Sequence, residues 1–188
     1  MIDPLDLAIE AYERAIAKRD AGDYPAALAL VESALVPLEG SHDPEVAVTR
    51  TRIAITRADL HDDVRGINAS IELIHTTRGG SWPTEPVTEE FNFVDLVWHE
   101  LEFRDGMSFT YAVYGPDGYL GCCYLYPVGR RTELTDELMA YDVDVSWWVT
   151  PDGYERGYYA KLHAALQRWL AAEFPFWHPY YSNREIPG

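Results

Sequence analysis

The apolar positions of this chain change period several times, and each change marks an element. Leu5, Ile9, Tyr12 and Ile16 fall on one helical face. Asp3 and Pro4 suit an N-cap and a first helical position. Lys18, Arg19 and Gly22 suit a helix C-terminus. A second helix carries Ala27, Leu28, Val31, Leu35 and Leu38, and Pro37 and Gly40 close it. Residues 46–56 then alternate, with Val48, Ile53 and Ile55 apolar, which predicts a strand. Leu60, Val64, Ile67, Ile71 and Ile74 step by four and three, a helical stripe. Thr76 to Pro86 reads as a loop. Thr88 caps another helix, with Phe91, Val94, Trp98 and Leu101 on its apolar face. Glu89, Glu90, Asp95, Glu100 and Glu102 make its exposed side.

The second half returns to period two. Ser108–Tyr114 and Tyr119–Tyr126 flank the turn Gly115–Gly118 and form a hairpin. Residues 127–140 are a polar insertion. A strand is expected over Asp142–Val149, a glycine-bearing loop through Gly157, and a helix from about Tyr158 to Ala172. Tyr159, Leu162, Leu166, Trp169 and Leu170 form that helix's buried stripe. Pro175 ends it, Phe176–Tyr181 is a last short strand, and Asn183–Gly188 is a tail. The order predicts a mixed α/β sheet flanked by helices, plus a helical hairpin at residues 1–43. Alternation sends Trp147 and Trp148 to opposite faces of the sheet, and likewise Cys122 and Cys123.

Charge narrows the partners. The formal net charge is -16. That field repels phosphate backbones and anionic membrane surfaces and favours an amine-bearing substrate, so neither nucleic acid nor membrane is expected as a partner. The N-terminus has no basic and apolar leader pattern, and no apolar run reaches the roughly 18 residues of a bilayer span. The two cysteines are adjacent, so a disulfide between them is geometrically disfavoured. A cytoplasmic location fits. The six histidines are scattered without ligand spacing, so no metal is expected.

Chemistry concentrates between Tyr141 and Leu170. A strand that runs through a glycine-bearing loop into a helix presents free backbone N–H groups to a pyrophosphate. Asp142 and Asp144, two apart, share one strand face.

Two resemblances add to this. The stretch Ala21–Leu38, with Gly22, Tyr24, Ala27 and Ala34, resembles half of a tetratricopeptide repeat. One such unit makes no solenoid, so residues 1–43 are expected to pack on the rest of the chain or on a second copy as a homodimer. Residues 44–188 resemble a bacterial subgroup of the GNAT superfamily of N-acetyltransferases. The resemblance rests on Asn92–Phe103, Phe109–Tyr114, Leu120–Pro127, Val145–Val149, Trp169–Phe176 and the terminal Ser182–Glu185.

The GNAT resemblance implies a cofactor and a place for it. Acetyl-CoA would lie in a V where the fourth strand, which carries a bulge, splays from the fifth. By the same resemblance, Trp148 and Val149 on the strand, and Asn183 beyond the last strand, border the cofactor. Tyr154, Glu155, Arg156, Gly157, Tyr158 and Tyr159 form the implied phosphate loop. The loop departs from the family pattern at Tyr154, where Gln or Arg is usual, and at Tyr159, where a small residue is usual. Asp144, with Asp142 beside it, is the expected base, and Tyr181 or Tyr180 the expected acid. The implied activity is acetyl transfer to an amine of a small molecule or peptide. The alternative is a GNAT-like scaffold without catalysis that works as a binding or protein-interaction module. Tyr159 filling the cleft would favour that alternative.

Overall fold

The computed structural model describes residues 54–131 and 133–188, together with Arg14. The expected hairpin at residues 1–43 and most of the strand expected at 46–56 lie outside the described residues. Of that strand, Ala54, Ile55 and Thr56 are described, with Ala54 in an isolated antiparallel bridge to Tyr111 and Ile55 N–H donating to Thr110 C=O at 3.0 Å.

The element order is a 3-10 turn (Arg57–Asp59), α1 (Leu60–Thr77), α2 (Glu89–Arg104), β1 (Phe109–Gly115), β2 (Gly118–Tyr126), a 3-10 turn (Leu138–Ala140), β3 (Val143–Val149), α3 (Pro151–Glu155), α4 (Tyr158–Glu173) and β4 (Pro179–Tyr181). The sheet order is β1-β2-β3-β4. The first three strands are antiparallel and β4 joins β3 in parallel. This is a mixed α/β sheet with helices on both faces, as the periodicity predicts.

Alternation along the strands divides the core in two. On the α4 face lie Tyr111, Leu125, Val145, Trp147 and Val149, packed on Tyr159, Leu162, Leu166 and Trp169. On the α1 and α2 face lie Ala112, Cys122, Tyr124 and Trp148, packed on Ile67, Ile74 and Leu96. Trp147 and Trp148 are both fully buried, one in each half. At about 25 cal/mol per Å², each such side chain contributes roughly 4–6 kcal/mol of burial. Both cysteines are free and buried, and burial pushes both thiols up. Gly66 lets α1 lie close on the sheet, because a Cβ there would stand 2.7 Å from the Tyr119 ring.

Several expectations are corrected. The stripe Phe91, Val94, Trp98 and Leu101 of α2 faces solvent, with Val94 67% and Trp98 57% exposed. The helix packs through Asn92, Leu96 and His99 instead. Asn92 donates to Asp63 at 2.8 Å, and His99 Nδ1 lies 3.1 Å from the Thr110 hydroxyl. Glu102, assigned to the exposed side, is buried among Trp98, Ser108 and Arg130. These polar groups find partners inside the fold, so polarity misplaces them. The last strand is only Pro179–Tyr181, because the N–H groups of Trp177 and His178 go to the Asp142 carboxylate, at 2.6 and 2.8 Å. The bulge implied for the fourth strand is absent from β3, whose register with β2 runs unbroken from Asp144 to Val149. The irregularity falls between β1 and β2, at Val113 and Tyr114.

Candidate functional site

The candidate site is the place where β3 and β4 part. Their pairing covers Val143–Pro179, Asp144–Tyr180 and Val145–Tyr181. Ser182 N–H adds one bond to Val145 C=O at 3.0 Å. Beyond that, the strand backbone has no described strand opposite it. The next edge residue, Trp147, is served by a side chain. Asn183 Oδ1 accepts from Trp147 N–H at 3.1 Å, and its Nδ2 donates to Trp147 C=O at 2.9 Å. Strand alternation puts the peptide groups of Val149 next along this edge.

Tyr159 closes the floor of the gap. It is buried, with its ring 5.2 Å from that of Trp147. Its hydroxyl accepts from Asn183 Nδ2 at 2.6 Å and donates to Glu185 C=O at 2.7 Å. The Glu185 N–H in turn donates to Thr77 C=O at 2.9 Å. Residues 182–185 are therefore strapped across the end of α1. Burial raises the Tyr159 phenol to about 12, so it stays protonated.

The connection from β3 to α4 holds the short helix α3, where sequence reasoning expects a loop. Thr150 caps it, and the N–H groups of Gly153, Tyr154, Arg156 and Gly157 are all bonded within the turn. Gly157 sits at φ +75°, in the left-handed region, with open space where a Cβ would stand. It is the N-cap of α4 and gives no side-chain cap. The first-turn N–H groups of Tyr158, Tyr159 and Ala160 therefore have no intrahelical acceptor. Arg156 is held by Asp117 at 2.5 Å and Asp152 at 3.2 Å. Tyr158 lies beneath Arg156 and Lys161. Tyr154 donates to Glu185 Oε1 at 2.8 Å, and Glu155 is exposed. Tyr159 points away from the helix start. Its ring fills the route between the strands, against Trp147.

Of the two expected acids, Tyr180 pairs with Asp144 across β3 and β4, whereas Tyr181 does not lie beside it. Asp144 is buried on the α1 and α2 face, where Ser182 Oγ donates to its Oδ1. Burial pushes its carboxyl above the usual range, against the Ser182 hydrogen bond and the nearby Arg131 and Arg78. Tyr181 pairs with Val145 and so faces α4, beside Trp147 and His163. Burial raises its phenol to about 12. Asp142, which precedes β3, is exposed and spent on the Trp177 and His178 amides, so it does not join Asp144. Trp148 packs opposite, its indole N–H donating to Tyr124 at 2.9 Å.

This gap, with its uncapped helix start, can be set beside known proteins. No family model matches the chain. No curated protein matches it. Among solved structures, one similar to it is a ribosomal L7/L12 α-N-protein acetyltransferase, RimL, in complex with coenzyme A. The TM-score is 0.48 and the identity 10%, over 65% of this chain and 64% of that one. Another is a ribosomal-protein-S5-alanine acetyltransferase from Vibrio fischeri, with a TM-score of 0.44 and 10% identity over 64% and 63%. The chain thus spans just under two thirds of the length of these structures.

Sequence reasoning missed several residues at the gap. Arg78 donates from Nε to Ser146 at 3.2 Å, and its guanidinium lies 4.2 Å over the Tyr124 ring. Arg131 donates to Ser182 at 2.9 Å and to Arg78 C=O at 3.3 Å. His163 stacks on Trp147, with ring centroids 5.0 Å apart. His163 Nε2 and Trp147 Nε1 are buried without a hydrogen-bond partner, and burial lowers the imidazole's affinity for a proton. Pairings across 53 or 68 positions leave no local signal. Histidine on an apolar helix face is the one hint. No group of three or more His, Cys, Asp or Glu among the described residues is placed to hold a metal, and none of their helices is long and apolar enough to cross a membrane.

Proposed function

We propose that this chain is an acetyl-CoA-dependent N-acyltransferase that acts on an amine of a small molecule or peptide. One observation carries the proposal. The β3 edge is free of described strand partners beyond Val145, and the connection that follows it, through Thr150 and α3, ends at an uncapped α4 start with open space at Gly157. An extended amide-bearing arm adds to such an edge as a strand would, and a diphosphate suits the helix start.

The residues present fit the cofactor unequally. The amides of Tyr158, Tyr159 and Ala160 would hold its diphosphate, and the peptide groups of Trp147 and Val149 its arm. Asn183 now occupies the Trp147 position, so its carboxamide must swing out for the arm to enter. When bound, acetyl-CoA supplies the acetyl group as an activated thioester.

Asp144 accepts the proton of the attacking amine at Oδ2, while Oδ1 keeps the Ser182 hydrogen bond. The Trp147 N–H, once freed from Asn183, would offer a donor to the acyl oxygen. Tyr181, its phenol raised to about 12, would supply from its hydroxyl the proton that the departing coenzyme A sulfur takes up as the acyl–sulfur bond breaks. Base and acid thus stand on opposite faces of the sheet, at the last paired positions of β3 and β4 before the strands part.

The test is release of free coenzyme A thiol from acetyl-CoA with a panel of amines and peptides, for the wild type and Asp144→Asn. Amine-dependent release that the variant loses supports the proposal. No release with any acceptor counts against it.

A second reading is a scaffold of this architecture without catalysis, used for protein interaction. It is favoured by the filled gap and by the outward apolar stripe Phe91, Val94, Trp98 and Leu101. Under it, acetyl-CoA does not bind.

A further inference from the structure

The end of α1, the β2–β3 connection and the residue after β4 bring two arginines together in the interior. Arg78 is 8% exposed. Its Nε donates to Ser146, and its two terminal amino groups donate to no described residue. Arg131 is half-buried and spends its amino groups on the Ser182 hydroxyl and the Arg78 carbonyl. Neither guanidinium forms an ion pair with a described carboxylate. Asp144 faces them, but through the Ser182 hydroxyl. The balance is two cations against one carboxylate, inside a chain of net charge -16.

The remaining exposure of Arg78 leaves its terminal amino groups within reach of solvent or a ligand, and two adjacent cations repel. Burial and the charge of Arg78 lower the Arg131 guanidinium to about 10, and Asp144 is itself raised. Nothing among the described residues offsets the excess positive charge. The Tyr124 ring gives Arg78 a cation–π contact, which holds the guanidinium plane in place and leaves its outer edge to a ligand. That edge is a fork of donors matched to a carboxylate. Asp144, a few side chains away, is matched to an ammonium.

We propose that Arg78 and Arg131 bind the carboxylate of the acceptor, so that the acceptor is an amine that also carries an acid group, of the amino-acid type. Its assignment as acceptor rests on the transferase reading. Its binding does not. The ammonium lies toward Asp144 and the carboxylate toward Arg78, so that each charge of the acceptor faces one of opposite sign. The negative field of the whole chain draws in the amine end.

The probes are glycine, β-alanine and 4-aminobutyrate, titrated into the full chain with and without coenzyme A. Propylamine, propionate and inorganic phosphate are the controls. Calorimetry reads affinity. The indole N–H resonance of Trp148, whose Tyr124 partner lies under Arg78, reads location. We expect saturable binding of at least one amino acid, with the Trp148 resonance shifting, and roughly tenfold weaker binding of propylamine and propionate. Arg78→Gln and the milder Arg131→Lys should each weaken it by about tenfold or more, with thermal unfolding followed to show that each variant is folded. No saturable binding of any amino acid overturns the proposal, as does binding that both folded variants retain. Phosphate binding in place of the amino acids, with the same Trp148 shift, overturns the carboxylate assignment. Amino-acid binding without any acetyl transfer keeps the site and removes the transferase.

Discussion

Asn183 bonds both the N–H and the C=O of Trp147 with a single carboxamide, at 3.1 and 2.9 Å. A side chain thereby does what one more residue of β4 would do. The same Nδ2 donates to Tyr159, whose hydroxyl donates to Glu185 C=O. Opening the gap between β3 and β4 therefore means unfastening residues 182–185 as a unit.

Tyr159→Phe removes the hydroxyl at the centre of that fastening while keeping the ring on Trp147. It should lower stability by about 1–2 kcal/mol, because Glu185 C=O and Asn183 Nδ2 each lose a partner. Hydrogen exchange at residues 182–185 should speed up. Urea unfolding and exchange mass spectrometry check both. Unchanged exchange there would mean the strap is held by something other than Tyr159.

Gly157→Ala places a Cβ in open space but on left-handed backbone at φ +75°. The cost should be about 1–2 kcal/mol in urea unfolding, and smaller for Gly157→Asn. Equal stability of all three proteins would contradict the conformation.

Asp63 is buried between α1, α2 and β2, bonded by Tyr119 at 2.5 Å and by Asn92. Burial raises its carboxyl despite those bonds, and Asp59 behaves alike. The folded chain therefore keeps protons at a pH where the unfolded chain has lost them. Stability must fall as pH rises from the ordinary carboxylate value through the raised one, and then level off. Asp63→Asn should flatten this slope and stabilise the protein at pH 8 by about 1 kcal/mol, its new amide facing the unpartnered Asn92 Oδ1. Stability that rises over the same window in the wild type would refute the sign.

Asp144→Asn should lower kcat/KM for amine acetylation by about 10²–10⁴ and leave acetyl-CoA affinity unchanged. In the wild type the rate should climb with pH through a carboxyl value above the ordinary range, since the base must be ionised to act. A pH–rate profile that is flat over that range would exclude Asp144 as the base.

Much of this architecture is legible in the residues, and the exceptions share a cause. The run from Asp142 to Leu170 shows a strand, a glycine at the turn and a helix stripe, because each is written in local period. The opposite placement of Trp147 and Trp148 comes from alternation alone. The buried side of α2 is not legible, since Asn92, His99 and Glu102 are buried by partners that lie outside their own helix. Arg78 and Arg131 are hidden for the same reason: Ser146 and Ser182 meet them only after the sheet is built. Read from the sequence, Tyr159 looks like an obstruction at the helix start. Its burial against Trp147 moves the obstruction into the gap.

The most direct test of the account is calorimetry of acetyl-CoA with the full chain, wild type and Tyr159→Phe. The account predicts micromolar binding to the wild type and several-fold tighter binding to the variant, whose strap is loosened. Absence of binding to both folded proteins would contradict it.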